Sequence, residues 1–205
     1  DLDTKVIRLF ESSLFYIKAH TAKNGAIIAS GDSEMLQFGR DYYRYVWPRD
    51  AAFSAVSLMK SGDLNASRKF FEFCEDVLSP EGYFMHKFRP DKSLGSSWHP
   101  LVRQGMKQFP IQEDETAIVV WALWIYYEVS KDVEFVESKY NSLIRKAANF
   151  MVRYRDPETK LPEASYDLWE RKRGVSTFTA STVYGALIAA SELSGILGKD
   201  SHEAN

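Results

Sequence analysis

One cysteine, four histidines and a net charge of −2 in 205 residues exclude several classes of function at once. Cys74 has no second cysteine to pair with, so no intramolecular disulfide is expected. The histidines, His20, His86, His99 and His202, are scattered, and no His-Glu-x-x-His spacing or cysteine cluster accompanies them. A metal site is therefore not expected. Neither a Gly-x-Gly-x-x-Gly nor a phosphate loop is present, so no cofactor is expected either. With 26 basic against 28 acidic residues, no basic field points to nucleic acid or an anionic membrane. The longest strongly apolar run, Ala117 to Tyr127, is too short to span a bilayer. No signal peptide is visible, which with the single cysteine favours a cytoplasmic location. The chain opens on Asp1-Leu2 without a methionine, as expected of a processed or excised piece.

What is abundant is apolar and aromatic. Hydrophobic residues make up 45% and aromatics 14%, enough for a substantial core. Apolar periodicity predicts six helices and very little strand. The first, about Asp3 to Ala19, carries a one-sided stripe through Val6, Leu9/Phe10, Leu14 and Ile17. A second from about Asp50, ended by Gly62, is small and apolar nearly all round. The third, about Asn65 to Leu78, is one-sided again, with Phe70, Phe71, Cys74 and Val77 on its apolar face. The fourth, Glu113 to about Val129, is apolar on every face after its first turn, and the fifth, about Val133 to Arg153, returns to a stripe. The sixth, about Ala180 to Leu197 with Gly198 as its cap, is again apolar nearly all round. A helix apolar all round must be buried between neighbours, whereas a one-sided helix belongs to an outer layer. The alternation is that of helical hairpins closing around an inner ring.

The connections carry the chemistry. Inner-to-outer links are short, but the outer-to-inner links, Thr21 to Pro48, Ser79 to Gln112 and Tyr154 to Thr179, are long and rich in aromatics. Long loops inside a compact domain are usually functional or disordered, and this composition argues against disorder. Each loop ends in a polar, aromatic-flanked cluster. These are Tyr42 to Asp50, then Ser97-Trp98-His99-Pro100 with Pro110 to Thr116, and finally Tyr166-Asp167-Leu168-Trp169-Glu170. Aromatic faces suit the C–H-rich faces of sugar rings, and Arg, Asp and Gln suit their hydroxyls. A carboxyl flanked by tryptophan is held in its neutral form, as a general acid requires. Plainer readings stand beside these. Glu170 could be a surface residue neutralised by Arg171, Lys172 or Arg173. Arg49-Asp50 could be a helix-start ion pair, and Asp114-Glu115 could merely complement the helix dipole.

The strings Tyr-Arg-Tyr-Val-Trp-Pro-Arg-Asp (43–50), Pro-Ile-Gln-Glu-Asp-Glu-Thr-Ala (110–117) and Tyr-Asp-Leu-Trp-Glu (166–170) together resemble glycoside hydrolase family 15, most nearly its prokaryotic glucoamylases. The resemblance runs from about Gly25 to the end of the sixth helix. It implies an all-α fold, an (α/α)6 barrel of which this chain covers about six of twelve helices. It also implies release of glucose from the non-reducing ends of α-glucans or maltooligosaccharides with inversion. By matching motif, Glu170 takes the general-acid position, and Arg49 and Asp50 take positions that hold the terminal glucose. Trp169 would line the same subsite with Trp98 stacking near it, while Tyr45 and Trp47 would wall the pocket. Many members carry a second acid after the tryptophan-flanked glutamate, where this chain has Arg171, so the contact to the next sugar is in doubt.

Inverting hydrolysis needs two carboxyls about 6.5–9.5 Å apart, and the resemblance puts the base far downstream of Asn205. The 205 residues are thus expected to be the N-terminal half of a catalytic domain that needs its C-terminal half. Alternatives are a glucodextranase, a trehalase, or a noncatalytic helical sugar-binding module that lacks the base.

Overall fold

The computed structural model describes residues 3–31, 43–96, 102–103 and 105–199. Helix α1 (Thr4–Ala19) is started by Asp3, whose carboxylate accepts the Lys5 amide. Helix α2 (Pro48–Lys60) begins on a proline, whose missing N–H costs nothing at a first turn. Helix α3 (Leu64–Val77) is capped by Asp63, which accepts from the Ala66 amide at 3.1 Å. After it come a two-stranded hairpin, β1 (Val102–Arg103) and β2 (Met106–Lys107), and helix α4 (Glu113–Ser130). The outer rod that follows is α5 (Val133–Lys139), a π-helical turn (Tyr140–Ile144) and α6 (Arg145–Arg153). A second hairpin, β3 (Ser165–Tyr166) and β4 (Arg173–Gly174), leads to α7 (Thr177–Ile196), capped by Ser176.

Helix α4 stands at the centre of the packing, with α2 on one side and α7 on the other, while α3, α5 and α6 cover them from outside. The main core lies between these layers, built from Phe70, Phe71 and Phe73 of α3, Leu123 and Tyr126 of α4, and Leu143, Ile144 and Met151 of the outer rod. Cys74 is buried within it. The second long loop is pinned to that rod at Gly82. Its φ of +98° is left-handed, and a Cβ there would lie 2.1 Å from the Lys146 carbonyl oxygen. No helix among the described residues is long and apolar enough to cross a membrane.

Four sequence expectations need adjusting. The fifth helix is broken by the π turn, which inserts one residue into the hydrogen-bond ladder without interrupting the apolar stripe. The last helix starts at Thr177, three residues early, because Ser176 accepts from the Thr179 amide at 3.0 Å. Helix α1 buries none of its residues, and Leu9 of its stripe is 69% exposed. Helix α7 is buried on one side only, with Tyr184 at 70% exposure on the other. Both depart from the pattern for one reason: each has neighbours on a single flank within this arc of helices.

Candidate active site

The first long loop enters α2 through an aromatic stack. Tyr43 lies face-on to Trp47 with ring centroids 5.6 Å apart, and Tyr45 meets the same ring edge-on at 5.8 Å. Val46, between them, exchanges two backbone hydrogen bonds with Phe88 of the second loop, at 2.8 and 2.9 Å. That pairing brings His86 and Lys87 beside the stack. The Lys87 ammonium sits 4.4 Å from the Tyr45 ring centroid and 5.3 Å from that of Trp47, a buried cation–π arrangement.

Arg49 projects from the first turn of α2 into the start of α4. Its guanidinium donates to Gln112 Oε1, to Asp114 Oδ2 at 2.8 Å and to Asp50 Oδ2 at 3.2 Å, and Glu115 Oε1 lies 3.7 Å away. Burial opposes its charge, yet Glu115, Asp114 and Asp50 together hold Arg49 above its ordinary pKa. Burial pushes Asp114 up, with Arg49 pulling against it, and pushes Glu115 well above the usual carboxyl range. Asp114 and Glu115 are fully buried partners of Arg49 and not merely charges set near a helix end. Likewise Arg49-Asp50 is more than a helix-start pair, since most of the guanidinium's bonds go to α4.

The third loop contributes a tight turn between β3 and β4. Asp167 organises it: its carboxylate accepts from the Arg171 amide at 2.8 Å and the Lys172 amide at 3.2 Å, and its carbonyl accepts from the Glu170 amide at 2.8 Å. Glu170 sits at the tip with φ of +57°, a left-handed conformation that costs a glutamate on the order of 1–3 kcal/mol. Its Oε1 lies 3.2 Å from His86 Nε2, and its side chain is 18% exposed.

These elements enclose an open cleft of about 470 Å³ lined by Tyr43, Trp47, Arg49, Asp50, Trp169 and Glu170 among others. Aromatic walls, a cation and two carboxyls in one cleft can stack a flat C–H-rich face, bind several hydroxyls and deliver a proton. Of the expected site residues, Trp47, Arg49, Asp50, Trp169 and Glu170 line it together. Tyr45 does not. It is buried behind Trp47, its hydroxyl 3.4 Å from Ser96 Oγ, and supports the wall from the back. Trp169 is 74% exposed on the lip, and among the described residues the imidazole of His86 approaches the Glu170 carboxyl at 3.2 Å. Trp98 lies outside the described residues. Sequence reading set His86 aside among scattered histidines and missed Lys87 altogether. The available signal was two polar residues inside Tyr83-Phe84-Met85-His86-Lys87-Phe88, a run otherwise fit only for burial.

Comparison with known proteins gives one consistent result. Among curated proteins, an uncharacterized glycosyl hydrolase of Methanocaldococcus jannaschii is 26% identical over 197 residues, 96% of this chain and 28% of that protein. Trehalase 2 of Sulfolobus acidocaldarius is 26% identical over 196 residues, 85% of this chain and 33% of that protein. The chain thus spans about a third or less of the curated relatives it matches. Among solved structures, a bacterial glucoamylase complexed with acarbose superposes with a TM-score of 0.73 at 20% identity, covering 96% of this chain and 26% of that one. The glucoamylase of Hypocrea jecorina gives 0.68 at 19% identity, over 96% and 34%. A glycosidase solved in complex with glucose gives 0.70 at 19%, over 97% and 57%. The fold is that of an (α/α)6 barrel, present here as a partial toroid of alternating inner and outer helices. The profile of glycosyl hydrolases family 15 matches residues 13–202, and the chain belongs to that family.

Proposed function

We propose that the full protein is an inverting, exo-acting α-glucosidase of glucoamylase type, and that residues 1–205 are the N-terminal half of its catalytic domain. In this reading Glu170 is the general acid, and Arg49 and Asp50 hold the terminal glucose through its hydroxyls. Trp47 and Trp169 wall that subsite, Tyr45 backs it, and Trp98 stacks near it. The observation that carries the reading is the cleft itself: a carboxyl on a strained turn shares it with a buried Arg49 and its exposed partner Asp50, between aromatic walls. Acarbose in the bacterial glucoamylase and glucose in the related glycosidase make a sugar substrate the natural occupant.

Hydrolysis with inversion requires Glu170 to protonate the leaving oxygen while a second carboxylate, about 6.5–9.5 Å away, activates water. Asp114 and Glu115 do not suit the second role, because both are fully buried against Arg49 instead of lining the cleft. The base is assigned to the C-terminal half of the domain. A second reading, trehalose as substrate, is favoured by the Sulfolobus relative.

Two measurements on the full-length protein test this. Glu170→Gln keeps the shape but removes the transferable proton, so turnover should fall at least about 100-fold while maltose binding survives. Retention of more than about a tenth of wild-type turnover would sink the acid assignment. Product analysis on maltose, isomaltose and trehalose decides the substrate. Release of β-glucose from maltose supports the first reading, and cleavage of trehalose alone supports the second.

A further inference from the structure

A general acid has two oxygens with different tasks: one carries the proton toward the leaving group, and the other must be held still. The left-handed turn fixes the backbone of Glu170, and its carboxyl is positioned by side-chain contacts. His86 meets that carboxyl from inside the protein. Its Nε2 lies 3.2 Å from Glu170 Oε1, and the ring is 2% exposed. Trp47 packs edge-on against it, with centroids 6.2 Å apart. The backbone on either side is tied down as well: the Phe84 amide donates to Thr116 Oγ1 at 3.1 Å, and Phe88 pairs with Val46. On the ring's far side Nδ1 lies 4.0 Å from Glu115 Oε1, beyond hydrogen-bond reach but close enough to back the imidazole.

Building on the assignment of Glu170 as general acid, we propose that His86 is a positioning residue for it. When substrate fills the cleft, the imidazole brings its Nε2–H into line with Oε1, which it already approaches at 3.2 Å, and this leaves Oε2 to bear the proton toward the glycosidic oxygen. A carboxylic acid can accept at one oxygen and donate from the other, so the two bonds do not compete. In the step itself the Oε2 proton passes to the glycosidic oxygen, which also takes the electron pair of the breaking C–O bond. His86 is then left donating to a carboxylate.

The experiment compares two substrates in the full-length protein. On maltose, His86→Ala should lower kcat at least about tenfold with KM changed by no more than about twofold, because the proton is delivered from the wrong geometry. On α-glucosyl fluoride, whose leaving group needs little protonation, the loss should nearly vanish. His86→Gln, which retains an N–H donor at similar reach, should recover much of the maltose activity. Equal losses on the two substrates would overturn the proposal and mark His86 as structural. An unchanged kcat on maltose, or a His86→Gln no better than His86→Ala, would overturn it too. If His86→Ala does not fold, His86→Leu fills the space without a donor and is read in the same way. Glu170→Gln measured alongside separates the two levels. Its full activity would remove the acid assignment, whereas an impaired Glu170→Gln beside an unimpaired His86→Ala removes only the role given to His86.

Discussion

Arg49 and Asp50 are adjacent in sequence but stand in opposite environments, and their substitutions should behave differently. Asp50 is 57% exposed and meets Arg49 at 3.2 Å, whereas Arg49 is buried and bonded besides to Gln112 and Asp114, with Glu115 3.7 Å away. Arg49→Met leaves Asp114 as a buried carboxylate without its cation, a loss on the order of 3–5 kcal/mol of stability. Asp50→Ala removes an exposed partner worth under about 1 kcal/mol to the fold, so chemical denaturation should show little change. Its effect should fall instead on maltose hydrolysis, through weaker binding of the terminal sugar. If Asp50→Ala lowered stability and left KM and kcat alone, the pair would be a structural feature only. At this scale the sequence was partly readable. The motif residues were visible because each sits next to a tryptophan or a helix start. The guanidinium's real partners, Gln112 and Asp114, lie 63 and 65 residues away and no local pattern joins them. His86 was hidden for the same reason, since its meaning depends on the Val46–Phe88 pairing that brings it to Glu170.

Helix α4 opens on three consecutive acids, and the first of them gives that element a pH dependence. Burial, followed by the charges of Asp114 and Glu163, pushes Glu113 from 4.5 up to about 9, against the pull of Arg155. In the unfolded chain the same carboxyl ionises near 4.5, so between about pH 5 and pH 9 the unfolded state holds fewer protons than the folded one. Stability therefore falls as pH rises through that window. At pH 7, some 2.5 units above 4.5, the cost is on the order of 3 kcal/mol at about 1.4 kcal/mol per unit. Glu113→Gln should raise Tm, with a gain that is small near pH 5 and grows toward pH 8. A gain that stays constant across that range would refute the titration and leave only a packing effect. Element boundaries and the inner or outer role of α2, α3 and α4 were legible because apolar periodicity reports the number of buried faces directly. The π turn was not, because Tyr140, Leu143 and Ile144 stay on the buried face through it, so the stripe does not break. The two hairpins escaped notice because each strand is only two residues long.

For the molecule as a whole, the partial toroid leaves large apolar side chains uncovered along α1 and α7, including Phe10, Phe15, Tyr184 and Ile188. Contiguous apolar surface beyond a few hundred Å² is unusual for a monomer. Expressed alone, residues 1–205 should associate or aggregate on sizing chromatography and release no glucose from maltooligosaccharides. A monodisperse monomer that hydrolyses maltose at an ordinary enzymatic rate would contradict both the open-arc reading and the assignment of the base to the C-terminal half. The arc also has a temporal side. Among the described residues its inner helices dock in the order in which they are spelled, α2 on α4 and α4 on α7. Such a succession of near-neighbour contacts resembles a repeat array, in which each unit adds to the one before it. On the ribosome, where synthesis proceeds at roughly 5–20 residues per second, the arc can be laid down turn by turn as it emerges. The Arg49 cluster would close once α4 has emerged, and the hairpin bearing Glu170 would be set against it some seconds later.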